Sequence, residues 1–344
     1  MNLWVILWLL SIFIGMRKAS QDKIGNVTYG LAYKNMISVR GILALEIVLG
    51  HFYGRVLNPG LIIINNRIGV LVVGMFLFLS GWGLCESRVQ KKNYFKGFLR
   101  RHFVRIVLPI YILYFIQICI FRTDGYKIFV RGIIKEILGS QIIYYTNWFI
   151  WELLALYFLF FLFYRCKKEI VSNCILALGM VLFIGIGSYL QIGSRWYGSI
   201  LCFLMGIVYS QKQEKLNEWM KQKFWKKLVF GSLLFLLSLF LFIKLEDTIW
   251  ANTILICVST LLFCSLAVML LTVFRIGNSM TYFLGEISYE IFIAHAGIME
   301  FWKQRIEGSN DLVYSLVSII TIIVVSWSVH GMLQWGQKKV NKRI

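Results

Sequence analysis

The fold class this sequence predicts is an all-α, polytopic bundle of transmembrane helices, and three observations predict it. Hydrophobic residues make up 59% of the 344 residues and charged residues only 15%, more apolar surface than a water-soluble globule can bury. The apolar residues come in runs of about 20, the length a helix needs to cross a bilayer core. Those runs are too long for strands and lack the period-two alternation of a membrane β-barrel.

The runs are taken in chain order. Met1–Met16 is apolar, and its basic residues, Arg17 and Lys18, follow it. With no basic leader and no small-residue cleavage site, it reads as a short N-terminal helix starting outside, not a cleaved signal. A helix lying in the interface is the other reading of so short a run. Ten longer runs follow, near residues 36–56, 67–84, 104–121, 147–164, 170–190, 196–210, 228–245, 250–274, 283–301 and 311–336. Residues 1–35 are thus an N-terminal hydrophobic helix and linker, and 36–344 one membrane domain. Pro59 and Pro109 are the only prolines, so no proline-rich linker divides the chain. Eight residues follow the last run, and no fused soluble domain is expected after it.

A net charge of +20 suits nucleic acid, but its distribution suits a membrane. Placing residues 17–40 inside puts 25 of the 36 lysines and arginines on the inner side, the bias that orients membrane proteins. A bacterial cytoplasmic membrane is the expected location, with lipid and no nucleic acid as partners. The stretch 122–146 violates the bias. Its Lys127, Arg131 and Lys135 recur every four residues among isoleucines, which suggests an amphipathic surface helix, either a lid or a packing element. The seven cysteines are scattered without ligand spacing and read as small apolar residues, so no metal site is expected.

Ionisable residues inside apolar runs carry a cost that function usually explains. The first long run holds three, Arg40, Glu46 and His51. Eleven helical steps place Arg40 and His51 on one face, about 16 Å apart, while Glu46 points elsewhere. A neutral imidazole can take a proton from a hydroxyl, and a cation can stabilise developing negative charge or hold a phosphate. Hydrogen bonding between helices is the alternative role for such a histidine. Arg100, Arg101 and Arg105, with Lys91, Lys92 and Lys96, form a basic cluster suited to phosphates or to orientation alone. Ser80-Gly81-Trp82-Gly83 permits close approach of a helix or a thin ligand. Glu152 lies in a run beside Trp148 and Trp151, where it could pair with an arginine or orient an acceptor.

VRGILALEIVLGH, with Arg40 and His51 at its ends, resembles the R-x10-H motif of the acyltransferase-3 family of membrane acyltransferases. Further pieces match in order: FLFLSGWGL at 76–84, FLRRHFVRIVLPIY at 98–111, NWFIWELLALYFL at 147–159 and GEISYEIFIAHAGI at 285–298. The resemblance implies a bundle of about ten helices moving an acyl group, usually acetyl, from coenzyme A to a hydroxyl, often of a surface glycan. It implies His51 as catalytic base or relay, Arg40 as its motif partner, and Arg101 and Arg105 in the basic segment, with Arg100 beside them, at the donor's phosphates. Glu46, Ser80, Trp148, Glu152 and His295 are expected as substrate or supporting residues. Acetyl-coenzyme A is expected as a donor substrate, not a permanent cofactor, and a saccharide as acceptor. Two features depart from the family pattern: Glu46 stands where apolar residues are usual, and Gly-Trp-Gly replaces Gly-Phe-Leu after Ser80. A transporter or flippase is the rival reading, since buried Arg, Glu and His also suit a substrate pathway, although no internal repeat supports it.

Overall fold

A computed structural model describes residues 2–18, 33–120, 147–165, 168–245, 247–306 and 310–341. The helices are α1 (Asn2–Phe13), α2 (Tyr33–Phe52), α3 (Ile62–Gln90), α4 (Phe98–Ile120), α5 (Asn147–Tyr164), α6 (Glu169–Tyr189), α7 (Leu201–Gln211), α8 (Gln213–Lys221), α9 (Phe224–Lys244), α10 (Ile249–Val273), α11 (Ser279–Glu286), α12 (Ser288–Arg305) and α13 (Asp311–Asn341). The remaining order is a 3-10 turn, Ser194–Trp196, and a two-residue antiparallel ladder pairing Arg17 with Arg275 and Lys18 with Phe274.

Among the described residues, six helices are long and apolar enough to cross a membrane: α2, α3, α6, α9, α10 and α13. The ten expected runs are therefore only partly matched, for identifiable reasons. α5 is a shorter apolar helix. α4 carries Arg100, Arg101 and Arg105. The run at 196–210 is helical only from Leu201, and the 11 residues of α7 span about 16 Å. The run at 283–301 breaks at Ile287, and the α12 that follows carries Glu290, Glu300, Lys303 and Arg305. The expected amphipathic helix at 122–146 lies outside the described residues.

α2 sits at the centre. Glycines let its neighbours approach backbone to backbone: a Cβ on Gly41 would overlap the Thr281 carbonyl of α11, and one on Gly285 would overlap the Ile37 carbonyl of α2. α3 and α7 cross in the same reciprocal way, Gly81 against Phe203 and Gly206 against Phe78. Gly83, two residues on, faces open space. α1 runs alongside α2, its Trp8 indole donating to the Ile42 carbonyl at 3.1 Å and its Trp4 indole to Ser315 of α13 at 2.8 Å. At the periphery, α9 buries only Phe224 and Ser238, and Val229, Phe230, Leu233, Leu236 and Phe240 face outward as lipid-facing residues do.

The two ends differ in charge. The end of α3 and the start of α4 carry Arg88, Lys91, Lys92, Lys96, Arg100 and Arg101, and α8 and the start of α9 add Lys215, Lys221, Lys226 and Lys227. This is the basic end. At the opposite end, the Asp311 carboxylate that opens α13 accepts from the Leu57 and Asn58 amides at 2.8 Å and pins the loop after α2.

Candidate active site

His51 lies in the last turn of α2. Its Nδ1 is 2.8 Å from the Ile47 carbonyl one turn earlier. A carbonyl only accepts, so in the neutral ring Nδ1 carries the hydrogen and Nε2 keeps the lone pair. His295 of α12 meets His51 edge to face, with ring centroids 4.6 Å apart. It is fully buried, its Nδ1 is 3.3 Å from the Ile291 carbonyl, and its Nε2 has no hydrogen-bond partner among the described residues. Each imidazole is thus tied to its own helix through Nδ1; His51 is half-buried, whereas the Nε2 of His295 is buried. Arg55 stands over the pair from the opposite end. Its Nη1 donates to the His51 carbonyl at 2.7 Å, and its Nε is 4.0 Å from Glu300.

A second polar layer lies toward the basic end, at the level of Arg40. Tyr157 of α5 is hydrogen-bonded to Ser80 of α3, whose hydroxyl also donates to the Phe76 carbonyl at 2.9 Å. Arg40 and Arg105 lie within electrostatic range of the Tyr157 hydroxyl. The His102 ring sits edge-on to Tyr157 at 5.1 Å. The Tyr289 hydroxyl of α12 donates to the Ile106 carbonyl at 2.6 Å. Five helices therefore contribute to this layer, and one face of α2 joins it to the histidine pair.

A family model described as an acyltransferase domain matches residues 33–331. The chain belongs to the acyltransferase-3 family. No curated protein and no solved structure matches it. As a member of that family with six long apolar helices, it is a multi-pass integral membrane protein and an acyltransferase.

The expected site residues of this acyltransferase separate into groups. His51 and His295 are brought into contact, Ser80 is hydrogen-bonded to Tyr157, and Arg40 and Arg105 lie within electrostatic range of that tyrosine. Arg100 is exposed. Arg101 donates its guanidinium to the Tyr94 carbonyl at 2.5 Å and to the Lys96 carbonyl, and so clamps the turn between α3 and α4. Glu46 is buried in the middle of α2. Glu152 is buried, and neither carboxylate oxygen has a hydrogen-bond partner among the described residues. Trp148 lies at the start of α5, away from the basic end, 6.2 Å from Trp196.

Sequence reasoning passed over His102 and did not single out Arg55. Only the place of His102 directly after the arginine pair could have marked it. At the basic end, an open cleft of about 550 Å³ is lined by Arg88, Lys91, Asn93, Tyr94, Phe95, Lys96, Tyr164 and Arg165.

Proposed function

We propose that this acyltransferase moves an acetyl group from acetyl-coenzyme A, drawn from the cytoplasmic side of a bacterial membrane, to a hydroxyl of a cell-surface or lipid-linked saccharide. The observation that carries this reading is the contact between His51 and His295, each with Nδ1 bonded to its own helix.

His51 Nε2 removes the proton from the acceptor hydroxyl as its oxygen attacks the acyl carbon, and then returns that proton to the leaving thiolate. Through its edge-to-face contact, His295 holds the His51 ring in place. Arg55 faces the pair from the acceptor side, and Trp148, edge to face with Trp196 at 6.2 Å, offers an aromatic ring of the kind on which a sugar stacks. Bound acetyl-coenzyme A supplies the thioester carbonyl. The residues present fit such a donor: the basic end supplies cations for its phosphates, and the Arg40–Ser80–Tyr157 layer lies between that end and His51.

The test is transfer of radiolabel from acetyl-coenzyme A to host glycan in membranes carrying the wild type or His51→Ala. Label is expected with the wild type and a loss of about 10²–10⁴-fold with the variant, the range for a general base. Equal label with both proteins removes His51 from this role. Movement of an unmodified substrate across the membrane, with no acyl product, favours the transporter reading.

A further inference from the structure

At the basic end, α8 and the start of α9 turn two tryptophans and several lysines outward. α8 is docked there through one face. Leu216 and Met220 pack inward, the buried Asn217 amide oxygen accepts from the Tyr209 hydroxyl, and Gln213 accepts from the Trp82 indole at 3.4 Å. With that face fixed and about 100° between successive residues, the rest of α8 divides into two flanks. Glu214 and Glu218 share one, and Lys215 and Trp219 share the other. The acidic side chains of α8 are therefore kept off the flank that carries Trp219.

α9 extends that second flank. The chain passes from α8 to α9 through Lys223, left-handed at a φ of 50°, and Lys227 in the first turn of α9 reaches back to α8. Its ammonium lies 3.7 Å from the centre of the Trp219 ring and donates to the Trp219 carbonyl. This contact ties the two helix ends together and fixes the indole, which stays 55% exposed, while Trp225 is 66% exposed. Lys215, Lys223 and Lys226 are exposed as well.

What covers this surface follows from where it leads. By the same count of about 100° per residue, Trp225 and Lys226 bracket the stripe of α9 that continues as Val229, Phe230, Leu233, Leu236 and Phe240. Those residues face lipid chains, and Val229 is only one turn, about 6 Å, beyond Trp225. Trp225 and Lys226 thus stand where hydrocarbon gives way to head groups, the level at which indoles and long cationic side chains settle. A partner there has to be apolar along α9 and negatively charged at its end. A soluble anion meets only the second requirement, and an anionic phospholipid meets both.

We propose that α8 and the first turn of α9 form a binding site for an anionic phospholipid. Lys215, Lys223 and Lys226 hold its phosphate, and Trp219 and Trp225 lie against its glycerol and upper acyl chains. This site stands apart from the acyl-transfer reading and needs neither donor nor acceptor.

Native mass spectrometry of the purified full chain, titrated in mild detergent with phosphatidylglycerol or phosphatidylcholine, tests it. The wild type is expected to hold phosphatidylglycerol about tenfold or more tightly than phosphatidylcholine, since each basic residue at an anionic head group contributes on the order of fivefold. Lys215→Gln/Lys226→Gln, which alters two exposed residues, lowers the affinity for phosphatidylglycerol by about tenfold and leaves that for phosphatidylcholine unchanged. Lys215→Arg/Lys226→Arg keeps the wild-type preference. Lys92→Gln/Lys96→Gln removes the same charge from another exposed part of the basic end and also keeps it.

A wild type that binds the two lipids equally overturns the proposal, and so does a Lys215→Gln/Lys226→Gln protein that binds as the wild type does. An equal loss in the Lys92→Gln/Lys96→Gln protein overturns it too, because the summed charge of the basic end would then explain the preference without a site.

Discussion

An imidazole whose Nδ1 is committed to its own helix has one nitrogen left for chemistry, and in this protein two such rings lie against each other. The roles assigned to them separate under mutation. His295→Asn is expected to lower kcat about tenfold while leaving KM for the donor near its wild-type value, because the change loosens the base and not the donor contacts. A rise in KM with unchanged kcat in steady-state assays would place His295 in binding instead. Glu152 is a different case. Both of its oxygens are buried without a hydrogen-bond partner among the described residues, so an amide of the same shape should serve as well. Glu152→Gln is expected to leave the melting temperature in detergent unchanged or to raise it, and a clear fall would show that the carboxylate has an ionic role. The sequence made half of this site legible. Arg40 and His51 share a helix, so their common face follows from spacing alone. The contact between His51 and His295 joins residues 244 positions apart, and helical periodicity holds no information about such a pairing.

At the scale of the element, the helices are written in the apolar runs, but their junctions are set by details that hydropathy averages away. A continuous run predicted one helix over 283–301, yet the chain forms α11, breaks at Ile287 and resumes as α12. α11 opens with a capping box in which Asn278 and Thr281 bond reciprocally, so its start is locally encoded even though its end is not. Close crossings depend on single glycines. Gly206→Val puts a branched side chain into the Phe78 carbonyl and is expected to cost about 1–3 kcal/mol or more, the scale of overpacking, in thermal unfolding of the purified protein. Gly83→Ala, with nothing within 4 Å, should melt like the wild type. If both variants melt alike, the α3–α7 crossing is looser than this packing implies. Pro109 offers a second example. Inside α4 it removes the bond to the Arg105 carbonyl, and the next carbonyl, that of Ile106, accepts the Tyr289 hydroxyl of α12. Tyr289→Phe is expected to cost about 1 kcal/mol by the same assay, the net worth of one hydrogen bond.

Across the whole molecule, the donor and acceptor roles depend on which end faces which compartment, and charge makes that a definite expectation. α2 and α4 start at the basic end, α3 finishes there, and the short β ladder closes beside Arg17 and Arg275. By the charge bias of membrane proteins this end is expected to face the cytoplasm, and Tyr53, Asn58 and Asp311 the far side. The cleft lies at the basic end and the histidine pair near the other end of α2, so the proposed mechanism expects donor and acceptor to enter from different compartments. Single cysteines at Lys92 and at Asn58 test this against the background of the native thiols. A membrane-impermeant maleimide is expected to label the Asn58→Cys protein in intact cells and the Lys92→Cys protein only after permeabilisation. The reverse pattern would place the basic cleft outside, away from the donor supply, and a shared entrance for donor and acceptor would then have to replace transfer across the bundle.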